Sequence, residues 1–101
     1  MVRVRHYTRV SSVRKILTDQ RIIARDRGRV FVELADGKRL PPVMVVQKYQ
    51  LGLGKGNACV EFDTEPERLE LTYNQRLKFE EYSISGDVDL KDRDAVAVFN
   101  F

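Results

Sequence analysis

The chain has 101 residues, 43% apolar and 33% charged, with a net charge of +3, a composition that fits one ordered globular domain over residues 1–101 and is too short for two cores. No apolar run approaches the roughly 20 residues of a membrane span, and Met1-Val2-Arg3-Val4-Arg5 lacks the apolar centre of a signal peptide. A single histidine and a single cysteine exclude an internal disulfide and a clustered zinc site, so no metal is expected.

In chain order, Val2-Arg3-Val4-Arg5-His6 alternates apolar and charged residues, the period of a half-buried strand. Ser11 or Ser12 is the expected N-cap of a short helix in which Val13, Ile16 and Leu17 fall at i, i+3 and i+4, with Arg14 and Lys15 turned outward and Thr18-Asp19-Gln20 closing it. Ile22-Ile23-Ala24 is a brief apolar run. Gly28 to Leu34 reads as a second strand ended by the turn Ala35-Asp36-Gly37-Lys38. Pro41-Pro42 can open a second helix reaching Gly52, although Val43, Val45 and Val46 are poor helix formers.

Gly52-Leu53-Gly54-Lys55-Gly56 has the look of a phosphate loop, but Tyr49 stands where the first glycine is needed and Gly56 follows the lysine, so the P-loop pattern fails. It remains a loop that connects elements or borders a cleft. Strands are then expected at Ala58 to Phe62, Leu69 to Tyr73, Leu77 to Ser85 and Ala95 to Phe101, with a turn or single helical turn over 64–68 and a stop at Gly86-Asp87. Cys59, between Ala58 and Val60, reads as a small buried residue. The class is α+β: about six mostly antiparallel strands with two short helices in the first half.

Charge is unevenly spread. Residues 1–48 hold twelve Lys/Arg against four Asp/Glu, and residues 49–101 six against eleven. The basic first half suits an anionic ligand such as a pyrophosphate, RNA or an acidic partner. Two further features stand out as chemistry-bearing. One is His6-Tyr7-Thr8, where the first strand gives way to the first helix. The other is Glu80-Glu81: neighbours in a strand face opposite sides, so Glu81 groups with Phe79 and Ser83 and Glu80 with Tyr82 and Ile84, and one carboxylate must point inward or lie on an edge.

These stretches together resemble ADP-ribosyltransferases of the diphtheria-toxin and poly(ADP-ribose) polymerase class. His6-Tyr7-Thr8, running on to Ile16-Leu17 and Ile22, is similar to the family's opening strand with His-x-Ser/Thr. Gly28-Arg29-Val30-Phe31-Val32 resembles its second segment, for whose helical tyrosine Tyr49 is the best match. Glu81-Tyr82-Ser83-Ile84 resembles the late strand bearing the catalytic glutamate. Tyr7 stands where the polymerases commonly have glycine, and the spacing from Phe31 to Tyr49 is longer than in the larger members.

The resemblance implies a compact ADP-ribosyltransferase-like fold and a catalytic domain of bacterial toxin type that uses NAD as substrate. It implies that His6 bonds a ribose hydroxyl, that Tyr7 holds the nicotinamide carboxamide through its backbone beside Thr8, and that Phe31 or Tyr49 stacks on nicotinamide. Glu81 would bond the nicotinamide-ribose 2′-hydroxyl, with His6 and Glu81 on neighbouring strands facing one cleft. Charge balance and proximity to His6 add Arg5 and Arg9 as groups facing pyrophosphate or target. The expected partners are a macromolecular acceptor, protein or RNA, and a cognate immunity protein. The expected location is the cytoplasm of a target cell after delivery within a larger secreted protein. Alternatives are an NAD glycohydrolase of the same fold, a basic RNA-binding module and an immunity or adaptor domain without chemistry.

Overall fold

The computed structural model describes residues 1–25, 27–37, 42–49 and 54–99. Strand β1 (Val2–Thr8) leads into helix α1 (Val10–Asp19), followed by a short strand β2 (Arg21–Ile22) and β3 (Arg29–Leu34). Helix α2 (Pro42–Tyr49) precedes β4 (Ala58–Thr64), a 3-10 turn (Pro66–Arg68), β5 (Leu69–Asn74), β6 (Phe79–Ser85), β7 (Val88–Asp89) and β8 (Val96–Phe99). The class is α+β, as the sequence implies. Six strands form one sheet in the order β5-β6-β3-β1-β4-β8, with every pairing antiparallel, and β2 pairs with β7 separately.

The start of α1 corrects a sequence expectation. Its N-cap is Arg9, extended at φ −80° and ψ 153°, with no side-chain cap, and Ser11 and Ser12 lie inside the first turn. Only Arg9 separates β1 from α1, so the exit of the strand sets the helix start, and the amides of Ser12 and Val13 both donate to the Arg9 carbonyl at 3.1 Å. The other end behaves as read: Gln20 turns left-handed (φ 52°), its amide bonds the Ile16 carbonyl, and its side-chain nitrogen donates to the Leu17 carbonyl at 2.7 Å. Of the expected second helix, Pro42–Tyr49 is helical, while 41 and 50–53 lie outside the described residues.

Val4, Val30, Val32, Val60, Phe62 and Ile84 cover one face of the main sheet, and Val13, Ile22, Val88 and Leu90 pack against them as one buried cluster. Cys59 is buried as well. The β2–β7 pair was not legible as strands because two residues show no period. It is held by the core positions Ile22 and Val88 and by Asp87, whose carboxylate accepts the Ala24 amide at 2.8 Å. Gly28 and Gly86, both at positive φ (68° and 78°), mark the far end of the β3–β6 ladder, where the Gly86 amide donates to the Gly28 carbonyl. No helix among the described residues is long and apolar enough to cross a membrane.

Candidate active site

The opposite face of the sheet carries charge. Antiparallel partners share a face, so Arg5, Glu33 and Glu61 stand side by side across β3, β1 and β4. Arg5 is 4% exposed, and its guanidinium reaches Glu33 (3.2 Å), Glu61 (3.4 Å) and the Gly37 carbonyl (2.7 Å). Burial alone would lower its pKa, but Tyr7, Glu33 and Glu61 outweigh that and hold the charge in place. Tyr7 adds its hydroxyl, donating to Glu33 at 2.7 Å. Arg5 lines the cleft described below, while its nitrogens tie three strands together.

Beyond Arg5 the sheet opens. β1 pairs with β4 along its whole length, from Val2 to Thr8, but with β3 only at Val4 and Arg5. The gap between His6-Tyr7-Thr8 on one strand and Arg29 to Val32 on the other belongs to a cleft of about 650 Å3, which Glu81 also lines. His6 and Glu81 are not on neighbouring strands as expected, because β3 runs between β1 and β6. They also start from opposite faces. His6 lies two residues after Val4 and shares its core face, whereas Glu81 lies two residues before Ser83, the partner of Phe31, and shares its charged face. The opening of the β1–β3 ladder lets one cleft touch both.

His6 bridges that opening. Its Nδ1 lies 2.8 Å from the Phe31 carbonyl. A carbonyl only accepts, so Nδ1 carries the hydrogen and the neutral ring presents Nε2 as an acceptor. Burial pushes the His6 pKa down, the Phe31 carbonyl partly opposes this, and the nearby Lys55 charge adds to the lowering. His6 is thus neutral at physiological pH.

Glu81 settles which member of Glu80-Glu81 turns inward: its side chain is 11% exposed, whereas Glu80 is exposed. Among the described residues, Arg27 and the side-chain amide of Asn74 hold the Glu81 carboxylate, each at 3.3 Å. Asn74 is itself fixed by the hairpin between β5 and β6, where its Oδ1 accepts the Leu77 amide at 3.0 Å and its carbonyl accepts the Lys78 amide at 2.7 Å. The Arg27 guanidinium also lies over the Phe31 ring, 4.8 Å from its centre. An aromatic face and a carboxylate converging on one spot form a site for a planar cation.

A family model described as "HYD1 signature containing ADP-ribosyltransferase" matches residues 4–92. The chain belongs to that family. No curated protein and no solved structure matches it. The HYD1-signature family comprises small ADP-ribosyltransferase toxins, and the matched span takes in every residue singled out above from His6 to Glu81.

Set against that family, the cleft gathers His6, Tyr7, Thr8, Phe31 and Glu81 along its lining, together with Arg9 and Lys55. Lys55 belongs to the glycine-rich loop, which therefore borders the cleft in its described part. The side chain of Tyr49, at the end of α2, lies outside the described residues. Sequence reasoning missed Arg27 and Asn74. An asparagine at the start of a turn was a readable signal for the hairpin, but its second bond to Glu81 depends on the register of β5 against β6. Arg27 sits among alternating charges at 25–29, and nothing local distinguishes it from Arg25.

Proposed function

We propose that this chain transfers ADP-ribose from NAD to a macromolecular acceptor and releases nicotinamide. The observation that carries this reading is the planar-cation site made by Phe31 and Glu81 within the cleft that His6 lines. The nicotinamide ring of NAD is a planar cation, and Arg27 already sets a planar cation at this spot. Phe31 supplies the stacking face, with Tyr49 the other candidate. Glu81 bonds the 2′-hydroxyl of the nicotinamide ribose and stabilises the positive charge that develops at the anomeric carbon as nicotinamide leaves, an electrostatic role worth about 10²–10³ in rate for one such group. His6 accepts a ribose hydroxyl at Nε2. The Tyr7 backbone and Thr8 border the carboxamide, and Arg9 and Lys55 face the pyrophosphate.

Low exposure of Glu81 serves this role, because a carboxylate shielded from water acts more strongly on charge developing beside it. Family membership supports a toxin setting. Within it, the chain acts in the cytoplasm of a target cell, arrives as part of a larger secreted protein, and is blocked by a cognate immunity protein. The test is incubation of the purified chain with labelled NAD and cell extract. Nicotinamide release together with labelled macromolecules is expected. Release without any labelled acceptor would make the protein an NAD glycohydrolase, and an absence of release would reject the reading.

A further inference from the structure

We propose that the acceptor is single-stranded nucleic acid, held by four exposed cations around the cleft: Lys15, Arg21, Arg25 and Arg76. The inference rests on the NAD-dependent transfer proposed above. The four come from separate parts of the chain: Lys15 from α1, Arg21 from β2, Arg25 from the segment after it, and Arg76 from the hairpin between β5 and β6. All four line the cleft and are exposed, and none forms an ion pair among the described residues. The lining acids do little to offset them. Among the described residues, Glu33 and Glu81 are already bound to Arg5 and Arg27, which leaves Asp19.

NAD does not account for this charge. Its pyrophosphate carries two negative charges, for which Arg9 and Lys55 beside His6 suffice, and its nicotinamide ring is itself positive. Three of the four surplus cations are arginines, whose planar donors match phosphate oxygens. The recessed position of Glu81 favours a single strand. The reacting carbon must lie beside a carboxylate that is 11% exposed, and a nucleotide stacked in a duplex cannot enter such a recess without leaving the helix. In the transfer, the bond from ribose C1′ to the nicotinamide nitrogen breaks with its electron pair leaving on nicotinamide. A nitrogen or oxygen of the nucleotide forms the new bond to C1′, and the proton it carried passes to water.

The experiment incubates the purified chain with NAD labelled on its adenylate phosphate and either protein-free total RNA or nuclease-treated cell extract. Label on RNA that nuclease removes is expected. The triple variant Arg21→Gln, Arg25→Gln, Arg76→Gln should release nicotinamide at the wild-type rate, yet transfer to RNA should drop. Its binding to poly(U) should show a log–log salt slope shallower by about 2, at roughly 0.7 for each phosphate left without its cation. Label confined to protein, or a triple variant that modifies RNA as well as the wild type does, would overturn the proposal. Nicotinamide release with no label on either fraction overturns it too, while leaving NAD cleavage standing; no release at all would reject the underlying NAD reading.

Discussion

The guanidinium of Arg27 lies over the ring of Phe31, 4.8 Å from its centre, and the same group reaches the Glu81 carboxylate at 3.3 Å. Arg27 therefore occupies the place proposed for nicotinamide, and the two cations must compete. An exposed cation–π contact is worth about 0.5–1 kcal/mol and an exposed ion pair up to about 1. Arg27→Ala should accordingly lower the KM for NAD about three- to tenfold, at about 1.4 kcal/mol per factor of ten. Steady-state kinetics of nicotinamide release check this. A raised KM would mean instead that Arg27 helps to hold NAD.

Asn74 separates folding from positioning. Its Oδ1 closes the hairpin turn and its amide nitrogen bonds Glu81. Asn74→Asp keeps an oxygen for the Leu77 amide and loses the donor to Glu81, adding a like charge beside it. The expected result is a nearly unchanged melting temperature with kcat about tenfold lower, a loss on the order of one charge-assisted hydrogen bond. Asn74→Ala should lose both kcat and about 1 kcal/mol of stability. Equal kcat in Asn74→Asp and wild type would show that the Asn74 amide does not position Glu81.

Arg5 supports the fold, and its loss should read as instability. Removing one member of a buried ion-pair group leaves the others uncompensated, at a cost of about 3–5 kcal/mol in fully buried cases. Glu33 and Glu61 are partly exposed, so about 2–3 kcal/mol is expected for Arg5→Met by chemical denaturation.

His6 makes stability depend on pH. Its pKa is pushed below the ordinary 6.5 in the folded chain, so the unfolded chain binds more protons as pH falls through that value. The stabilisation is complete above about pH 6.5 and is lost as pH falls through the lower folded pKa. Denaturation midpoints at pH 7.5 and 5 should differ more for the wild type than for His6→Gln. Protonation also removes the Nε2 acceptor, so the KM for NAD should rise over the same window in the wild type.

Most strands were legible because one face of each is buried, which imprints alternation: Val2, Val4 and His6 in β1, and Val30 and Val32 in β3, carry their register in the sequence. His6-Tyr7-Thr8 and Glu81 were legible as chemistry-bearing stretches, and both line the cleft. The partners that tune the site were not. Which residue touches Glu81 depends on strand order, and sequence alone did not show that β3 runs between β1 and β6 or that its ladder with β1 stops at Arg5. The two serines of α1 misled for a related reason: a good capping residue is used only where the backbone turns, and here that turn comes earlier, at Arg9.

Glu81→Gln keeps the shape of the side chain, retains an oxygen that can accept a hydrogen bond, and removes the negative charge proposed to stabilise the transition state. Its rate of nicotinamide release from NAD, measured beside the wild type on folded protein, should fall about 10²–10³-fold with little change in KM. Release at the wild-type rate would contradict the role assigned to Glu81, and with it the placement of the active site in this cleft.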